Sequence, residues 1–224
     1  MNLRKWGISW TTDASGARTA AMAGMVTVIV DVIDMSTSIE VCLKEGALAA
    51  FGASPLQHKC PVDTNPILVA EAAVKKGAAY GAEIIIITEP RVGTPVERAA
   101  TSSRVIEAIK EKGGSIAAIL PNLGSEIGKL ANFNNKVVIA VTATGGTAFD
   151  AAFNVLQDER ITTATIARIP GYKGIEVAEI GLKRAISLAK KYDTGIVFVA
   201  ASGNSIEDVL AAQYLSETVS TMEE

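Results

Sequence analysis

Residues 26–38 read Val-Thr-Val-Ile-Val-Asp-Val-Ile-Asp-Met-Ser-Thr-Ser, and this segment is the clearest indication of the fold class. Its β-branched, almost wholly apolar first half is typical of a strand that is covered on both faces of its sheet. The run ends in a carboxylate, Asp31, which the centre of a buried strand would not tolerate unpaired. We therefore predict a strand over 26–32 that leads, through a turn, into a helix over 37–44.

The same pattern continues along the chain, where short β-branched runs alternate with longer, Ala-rich amphipathic runs. Such alternation favours an α/β domain with a parallel sheet. We predict a single domain over 1–224 with three layers, in which helices cover both faces of a mainly parallel sheet. The other predicted strands are 48–52, 83–88, 115–120, 136–142, 163–169 and 195–200. The other predicted helices are 66–76, 147–156 and 175–191, one from Pro95 to the glycines at 113–114, and one from Ser205 onward. Residues 54–66 are expected to form a long loop.

The composition excludes several functional classes. The chain has 224 residues, of which 49% are hydrophobic and 20% charged, and its net charge is −3 from 21 basic and 24 acidic residues. These values exclude a disordered chain and offer no electrostatic reason to bind nucleic acid. One His excludes a His-cluster zinc site within one chain, and two Cys are too few for a disulfide scaffold. No apolar run approaches the roughly 20 residues of a membrane span, so we expect no membrane partner. We expect a cytoplasmic protein, and in that compartment the two thiols should be reduced.

Ligands bind at the carboxyl ends of the strands in open α/β sheets. After the first predicted strand, Asp31 and Asp34 supply carboxylates, and Ser36 and Thr37 supply hydroxyls. Carboxylates there can bind a hard cation, and hydroxyls at a helix N-terminus can bind an anion. The alternative is that a hydroxyl caps the helix and that Asp34 is solvated.

Two other strand ends carry charged or polar groups. Glu89 follows a run of four Ile residues, and Arg91 can face a phosphate, although a surface loop explains both equally well. Before the last predicted helix, Asn204 and Ser205 are candidate caps, and Asp208 places negative charge in the first turn. Capping is a full explanation for this segment, and the alternative is that a carboxylate turns into the cleft and holds a metal.

The strongest candidate for an anion site is the turn that follows the predicted strand over 136–142. It contains Thr144, Gly145, Gly146 and Thr147 and opens a helix. Glycines allow backbone N–H groups to approach an anion closely, and hydroxyls add donors. The turn is not a Walker A loop, because no Lys follows the glycines, and it is not a dinucleotide-binding motif.

Taken together, the strand ends present Asp, Glu, Ser, Thr and Gly with almost no His. This composition suits Mg²⁺ together with a phosphorylated ligand. His58 lies in the Pro-rich loop, where we expect it at the surface, and no nucleophile-elbow motif supports a Ser–His–Asp triad.

In order, these motifs resemble the 2-phosphosulfolactate phosphatase family, a Mg²⁺-dependent group associated with coenzyme M biosynthesis. Residues 28–38 resemble the family's strand followed by Asp-Val-Leu/Phe-Arg-Ala and two Ser or Thr residues. Residues 142–147 are similar to its Thr-Thr-Thr-Asn-Gly-Thr, and residues 205–212 to its Ser-x-Glu-Asp-x-x-x-Ala helix start. Glu89 is similar to the acidic residue of its Gly-Glu-Arg segment, and 121–125 to a shortened form of its Pro-Gly-rich turn. The resemblance extends from about residue 26 to 215.

The resemblance implies a Mg²⁺-dependent phosphatase-like hydrolase of a small phosphorylated or sulfonated acid. Two positions depart from the family pattern. Asp34 stands where the family has Arg, which reverses the local charge, and Gly145 stands where the family has Asn. The scaffold is then expected to be kept, while the substrate differs or the activity is lost.

The first hypothesis assigns roles to these residues as follows. Asp31, with Asp34 beside it, is the catalytic candidate, and a metal-bound water is the simplest nucleophile, with an aspartyl-phosphate route through Asp31 as the alternative. The predicted metal ligands are Asp31, Glu89 and Asp208. The predicted substrate-binding residues are Ser36, Thr37, Arg91, Thr144, Gly145, Gly146, Thr147, Asn204 and Ser205.

Two further hypotheses use the same scaffold. In the second, the protein binds a metabolite or anion without converting it, which the acidic residue at position 34 motivates. In the third, the protein mainly builds a homo-oligomer, expected to be a dimer, because abundant Ala and few aromatics allow close helix contacts. A homo-oligomer is compatible with either of the other two hypotheses.

Overall fold

The computed structural model describes residues 7–222, and within them strands and helices alternate along almost the whole chain. The strands are β1 (Ile8–Thr12), β2 (Val26–Val30), β3 (Ala49–Ala53), β4 (Ile84–Thr88), β5 (Ile116–Pro121), β6 (Val137–Val141), β7 (Ile161–Thr163) and β8 (Ile196–Ala200). The α-helices are α1 (Asp13–Met22), α2 (Met35–Lys44), α3 (Pro66–Tyr80), α4 (Pro95–Thr101), α5 (Ser103–Glu111), α6 (Gly145–Leu156), α7 (Glu176–Tyr192) and α8 (Ile206–Thr221). A 3₁₀ helix spans Gly124–Lys129.

The strands form two four-stranded sheets in which every pairing is parallel. The first sheet has the order β1-β8-β2-β7, and the second has the order β3-β6-β4-β5. The three-layer α/β class predicted from the sequence is confirmed. The division into two sheets was not predicted, because periodicity identifies strands without showing which strands pair.

The inner strands of the first sheet, β2 and β8, send alternate side chains to opposite layers of helices, as the strand period requires. Val28 packs in a cluster with side chains of α7 and α8, whereas its neighbour Ile29 packs in another cluster with side chains of α1 and α6. Both residues are fully buried. This two-sided burial explains why β2 is apolar without alternation.

The second sheet repeats the arrangement. In β4, Ile84 and Ile86 belong to the cluster that contains α3, α5 and α6 residues, whereas Ile85 and Ile87 pack with α2 residues and Phe133. All four Ile residues are almost completely buried. Burial of each such side chain stabilises the fold by about 1.5–3 kcal/mol.

Helix α6 lies against strands of both sheets, namely β2 and β7 of the first and β3 and β6 of the second. Gly52 permits this close approach, because a Cβ there would lie 2.6 Å from Cβ of Phe149. The N-terminus of α6 therefore reaches the place where the carboxyl ends of the two sheets meet.

Several predicted boundaries are wrong. The strand predicted over 163–169 is instead β7, which ends at Thr163. The Thr165 hydroxyl accepts a hydrogen bond from the Ala167 backbone N–H (3.1 Å), so local side-chain bonding replaces the ladder there. The single helix predicted from Pro95 to the glycines at 113–114 is broken at Ser102, whose hydroxyl donates to the Arg98 carbonyl (2.8 Å).

Two elements were not predicted at all. Strand β1 is a half-exposed edge strand with no continuous apolar run, and α1 is built from small residues. The long loop was expected over 54–66, and it is confirmed from residue 54 to Asn65, which caps α3 at Pro66. None of the helices in residues 7–222 combines the length and apolarity that a membrane crossing requires.

Candidate active site

The site is centred on Asp31, which is 2% exposed and lies directly after β2. Its Oδ2 accepts hydrogen bonds from the Thr144 hydroxyl (2.8 Å) and from the Gly145 backbone N–H (2.7 Å). These two donors follow β6 of the other sheet. The turn predicted to bind a substrate anion therefore binds a carboxylate of the protein itself, and its binding of a substrate stays a prediction.

The turn after Asp31 is held by its own backbone and side chains. Oδ1 of Asp31 accepts a 2.9 Å hydrogen bond from the Asp34 N–H. The Ser36 hydroxyl donates to the Ile29 carbonyl (2.9 Å) and accepts from the Asp31 N–H (3.0 Å). Ser36, a predicted substrate-binding residue, thus uses its hydroxyl to hold the end of β2 and the start of α2 together.

Asp208, in the first turn of α8, is the second buried carboxylate of the site, at 3% exposed. Its Oδ1 accepts a 2.8 Å hydrogen bond from the Val32 N–H. Burial, together with the nearby negative charge of Asp31, raises the pKa of Asp208 to about 6. Burial also raises the pKa of Asp31, and the charge of Asp34 adds to that rise. Within residues 7–222, these two buried carboxylates with raised pKa values have no basic side chain as an ion-pair partner.

Arg91 supplies positive charge at the edge of this group. Its Nη2 lies 2.5 Å from Oδ1 of Asp34 and 2.6 Å from the Ile33 carbonyl oxygen, and its Nε lies 3.9 Å from Oε1 of Glu89. Among residues 7–222, Arg91 is the only basic side chain paired with Asp31, Asp34, Glu89 or Asp208. The loop after β4 therefore brings a guanidinium to Asp34, the acidic residue that stands where the resembled family has Arg.

Arg91 is kept in place by the segment that carries it. Nη1 of Arg98, in α4, donates to the carbonyls of Pro90 (3.3 Å) and Gly93 (3.1 Å). Arg98 is almost buried, whereas the side chain of Arg91 is 37% exposed. The buried guanidinium of Arg98 thus anchors the loop that presents the exposed guanidinium of Arg91.

Asn122 is a residue of the site that was not among those predicted. It is fully buried after β5, where its Oδ1 accepts from the Ser38 hydroxyl (2.5 Å) and its Nδ2 donates to Oε1 of Glu89 (3.1 Å). These two hydrogen bonds join α2 to the ends of β4 and β5. The Pro-Asn-Leu-Gly turn that contains Asn122 was the available sequence signal, and by itself it is weak.

The remaining hydroxyls predicted to bind substrate are bonded within the protein. The Thr37 hydroxyl donates to the Val32 carbonyl (2.5 Å) and lies 2.9 Å from the Thr165 hydroxyl. The Gly146 N–H donates to the Thr142 hydroxyl (2.8 Å), and the buried Thr147 hydroxyl lies 3.4 Å from the Thr142 carbonyl. These residues shape the turns around Asp31.

The start of α8 is capped as its sequence suggested. The Ser205 hydroxyl accepts from the Asp208 N–H (3.3 Å), and the exposed Asn204 donates its backbone N–H to the Ser202 hydroxyl (3.2 Å). Capping of α8 fully accounts for a hydroxyl-bearing residue at position 205. It does not explain why the Asp208 carboxylate turns inward onto the Val32 backbone.

The donor set of Asp31 and Asp208 fits Mg²⁺, which is usually held by one or two carboxylates and keeps several waters or phosphate oxygens. Glu89 forms no hydrogen bond with either carboxylate in the described part of the chain, and within it no three acidic, His or Cys side chains are grouped as metal ligands. The prediction that Glu89 completes the metal site therefore stays a prediction.

The sequence matches no protein-family model and no curated protein.

Proposed function

We propose that the protein is a Mg²⁺-dependent phosphatase-like hydrolase of a small phosphorylated or sulfonated acid, similar to the 2-phosphosulfolactate phosphatases. One observation carries the proposal: Asp31 and Asp208 are both buried at the end of β2, where the charge of Asp31 raises the pKa of Asp208, and no basic side chain of residues 7–222 is paired with either of them. A divalent cation would relieve their repulsion. We extend the proposal to a cytoplasmic homodimer.

Each residue of the site has a role in this proposal. Asp31 and Asp208 would hold Mg²⁺, which when bound neutralises phosphate charge and lowers the pKa of a water. Three donors already engage the Asp31 oxygens, so this carboxylate is a poor nucleophile, and this favours water as the attacking group. Arg91, which Asp34 orients, would face the phosphate from the exposed side of the site.

The test is phosphate release from a panel of small phosphorylated acids, including 2-phosphosulfolactate and phosphoglycolate, with Mg²⁺ and with a chelator. We expect Mg²⁺-dependent turnover of at least one acid, and a loss of about 100-fold or more in Asp31→Asn and Asp208→Asn. Asp63→Asn is the matched control, because its side chain is 88% exposed and lies outside the site. Calorimetric titration with Mg²⁺ gives a second readout. Absence of turnover on every acid, together with unchanged Mg²⁺ binding in Asp31→Asn, would contradict the proposal.

One observation favours the second candidate, a binding protein that converts nothing. The N-terminus of α6, which the glycine turn was expected to offer to a phosphate, is occupied by Asp31. In that case, acids of the same panel would raise the melting temperature of the protein without being converted. Steady conversion of any of them rules this candidate out.

A further inference from the structure

A large cavity lies between the two sheets. Its volume is about 630 Å³, within the range of roughly 300–1,000 Å³ that small-molecule sites occupy. It is lined by residues of β3 and β7, by the C-terminal half of α3 and by α6 from Phe149 onward. Phe149 lies about one helical turn after Gly145, but none of the residues that line the cavity belongs to the carboxylate site.

The inner wall of the cavity is aromatic. Phe149 and Phe153 are almost fully buried, and Phe51 is half-buried. The ring of Phe51 meets the other two edge-on, with centroid distances of 6.4 Å and 5.9 Å. Such a wall binds an apolar, flat or acyl group, because three rings bury much apolar area at fixed geometry.

Backbone groups add to the polar side chains at the cavity. Within residues 7–222, strands β3 and β7 are edge strands that both line the cavity, since β3 pairs with β6 alone and β7 pairs with β2 alone. Their outer edges therefore carry N–H and C=O groups that no other strand of these residues pairs. A few such groups in an apolar cavity fix the orientation of a ligand.

The rim of the cavity carries positive charge that the described residues leave unneutralised. Lys75 and Lys76, near the end of α3, form no ion pair within residues 7–222, and the Lys76 ammonium lies 5.2 Å from the centre of the Tyr80 ring. The acidic rim residues are already paired, Asp158 with Arg160 and Glu159 with Lys191. Of the rim charges, only the two ammonium groups are free to bind a ligand.

We propose that this cavity binds an amphipathic organic anion, whose apolar body lies against Phe51, Phe149 and Phe153 and whose carboxylate or sulfonate lies at Lys75 and Lys76. The aromatic wall selects the body, and the two lysines select the charge. The site is independent of the carboxylate site, so the proposal does not depend on the proposed hydrolase activity.

The test uses 8-anilinonaphthalene-1-sulfonate, an aromatic anion that fluoresces in apolar surroundings, and the full-length protein. We expect saturable binding of one probe per chain, displaced by decanoate more effectively than by decanol. Lys75→Ala/Lys76→Ala should weaken binding by about fivefold or more, because both counter-charges are removed. Ala72→Phe, which fills the cavity from α3, should lower the fluorescence at saturation.

The matched control is Arg104→Ala/Lys110→Ala, which removes two exposed positive charges from α5 and should leave binding within about twofold of wild type. Melting temperatures establish that each variant is folded. The proposal is overturned if binding does not saturate, if the two double variants bind alike, or if decanol displaces the probe as well as decanoate does. Because the lysine variant changes only surface residues, the test does not depend on the folding of Ala72→Phe.

Discussion

The backbone N–H of Gly145 donates a 2.7 Å hydrogen bond to Oδ2 of Asp31. Asp31 follows β2 of the first sheet and Gly145 opens α6 after β6 of the second sheet, so this bond joins the two sheets at their carboxyl ends. The N-terminus of a helix favours an anion, and here the anion is a buried side chain of the same protein. The arrangement requires that position 145 carry no side chain.

Gly145→Ala is expected to destabilise the protein and to disturb the site. A Cβ at this position would lie 2.5 Å from Oδ2 of Asp31 and 2.8 Å from Cβ of Met35, both of which are held in place by neighbouring bonds and packing. We expect the free energy of unfolding to fall by about 2–4 kcal/mol, measured by urea denaturation.

The control for this change is Gly128→Ala in the 3₁₀ helix. There the nearest atom to a new Cβ is Val41 Cγ1 at 3.1 Å, the tip of a side chain that can shift. A loss below about 1 kcal/mol is expected. Equal losses in the two variants would show that the contact with Asp31 is not the cause.

Asp208→Asn is expected to stabilise the metal-free protein at neutral and higher pH. Burial raises the pKa of Asp208 from 3.8 to about 6, so the folded protein binds this proton more tightly than the unfolded chain does. The stability that this contributes is fully present below about pH 3.8 and is lost as the pH rises through about 6. At pH 8 the variant should exceed wild type by about 1–2 kcal/mol after allowance for solvent screening, and the difference should shrink toward pH 4.

Urea denaturation with a chelator across this pH range measures the effect. Glu207→Gln removes a neighbouring charge and is expected to show a much smaller pH-dependent difference, because Glu207 makes only a minor contribution to the raised pKa of Asp208. A variant Asp208→Asn that is less stable than wild type at pH 8 would refute the assignment of an uncompensated carboxylate pair.

The pair formed by Arg91 and Asp34 should contribute little to stability and more to ligand binding. Both side chains are 37% exposed, and exposed ion pairs stabilise proteins by at most about 1 kcal/mol. A double-mutant cycle of Arg91→Ala and Asp34→Asn is expected to give a coupling free energy of about 0.5 kcal/mol.

The same Arg91→Ala variant should raise the KM for a phosphorylated substrate by about tenfold, since a charge-assisted contact to the phosphate is removed. Arg104→Ala, an exposed guanidinium on α5, is the control for the loss of one positive charge. An unchanged KM in Arg91→Ala would place the guanidinium outside the substrate site.

Asp150, on α6, should hold the loop from residue 54 to Asn65 in place. Its fully buried carboxylate accepts hydrogen bonds from the Ser54 N–H (2.9 Å), the Ser54 hydroxyl (2.6 Å) and the Asn65 N–H (2.6 Å). Asp150→Ala leaves these buried donors unpaired and should cost about 3 kcal/mol. We also expect faster tryptic cleavage after Lys59 in this loop.

Asn154→Ala, one turn further along α6, controls for a change in the helix itself. Asn154 is partly exposed, so the variant should change the free energy of unfolding by less than about 0.5 kcal/mol. It should also leave the rate of cleavage after Lys59 unchanged. If Asp150→Ala is cleaved there no faster than Asn154→Ala, then other contacts hold the loop.

The buried strands and the candidate site were predictable to different degrees. The continuous apolar runs of β2, β4, β6 and β8 identified the inner strands. A strand that is buried on both faces has no solvent-facing side, so polar residues do not interrupt its apolar run. The edge strand β1 and the end of β7 were missed or misplaced, because partial exposure and side-chain bonding to the backbone weaken the pattern there. Asn122 was missed because its importance lies entirely in two partners, Ser38 and Glu89, that are distant in sequence.

Local sequence was sufficient to predict the α/β class, the cap of α8 and the presence of acidic, hydroxyl-bearing and glycine residues at the strand ends. These features depend on local periodicity and on the chemistry of a few neighbouring residues. Long-range packing alone establishes that the glycine turn holds Asp31, that Arg91 pairs with Asp34 and that Asp208 turns onto the end of β2. Each of these contacts joins segments separated by at least 57 positions, so the pairing of the strands and the packing of α6 between two sheets had to set them.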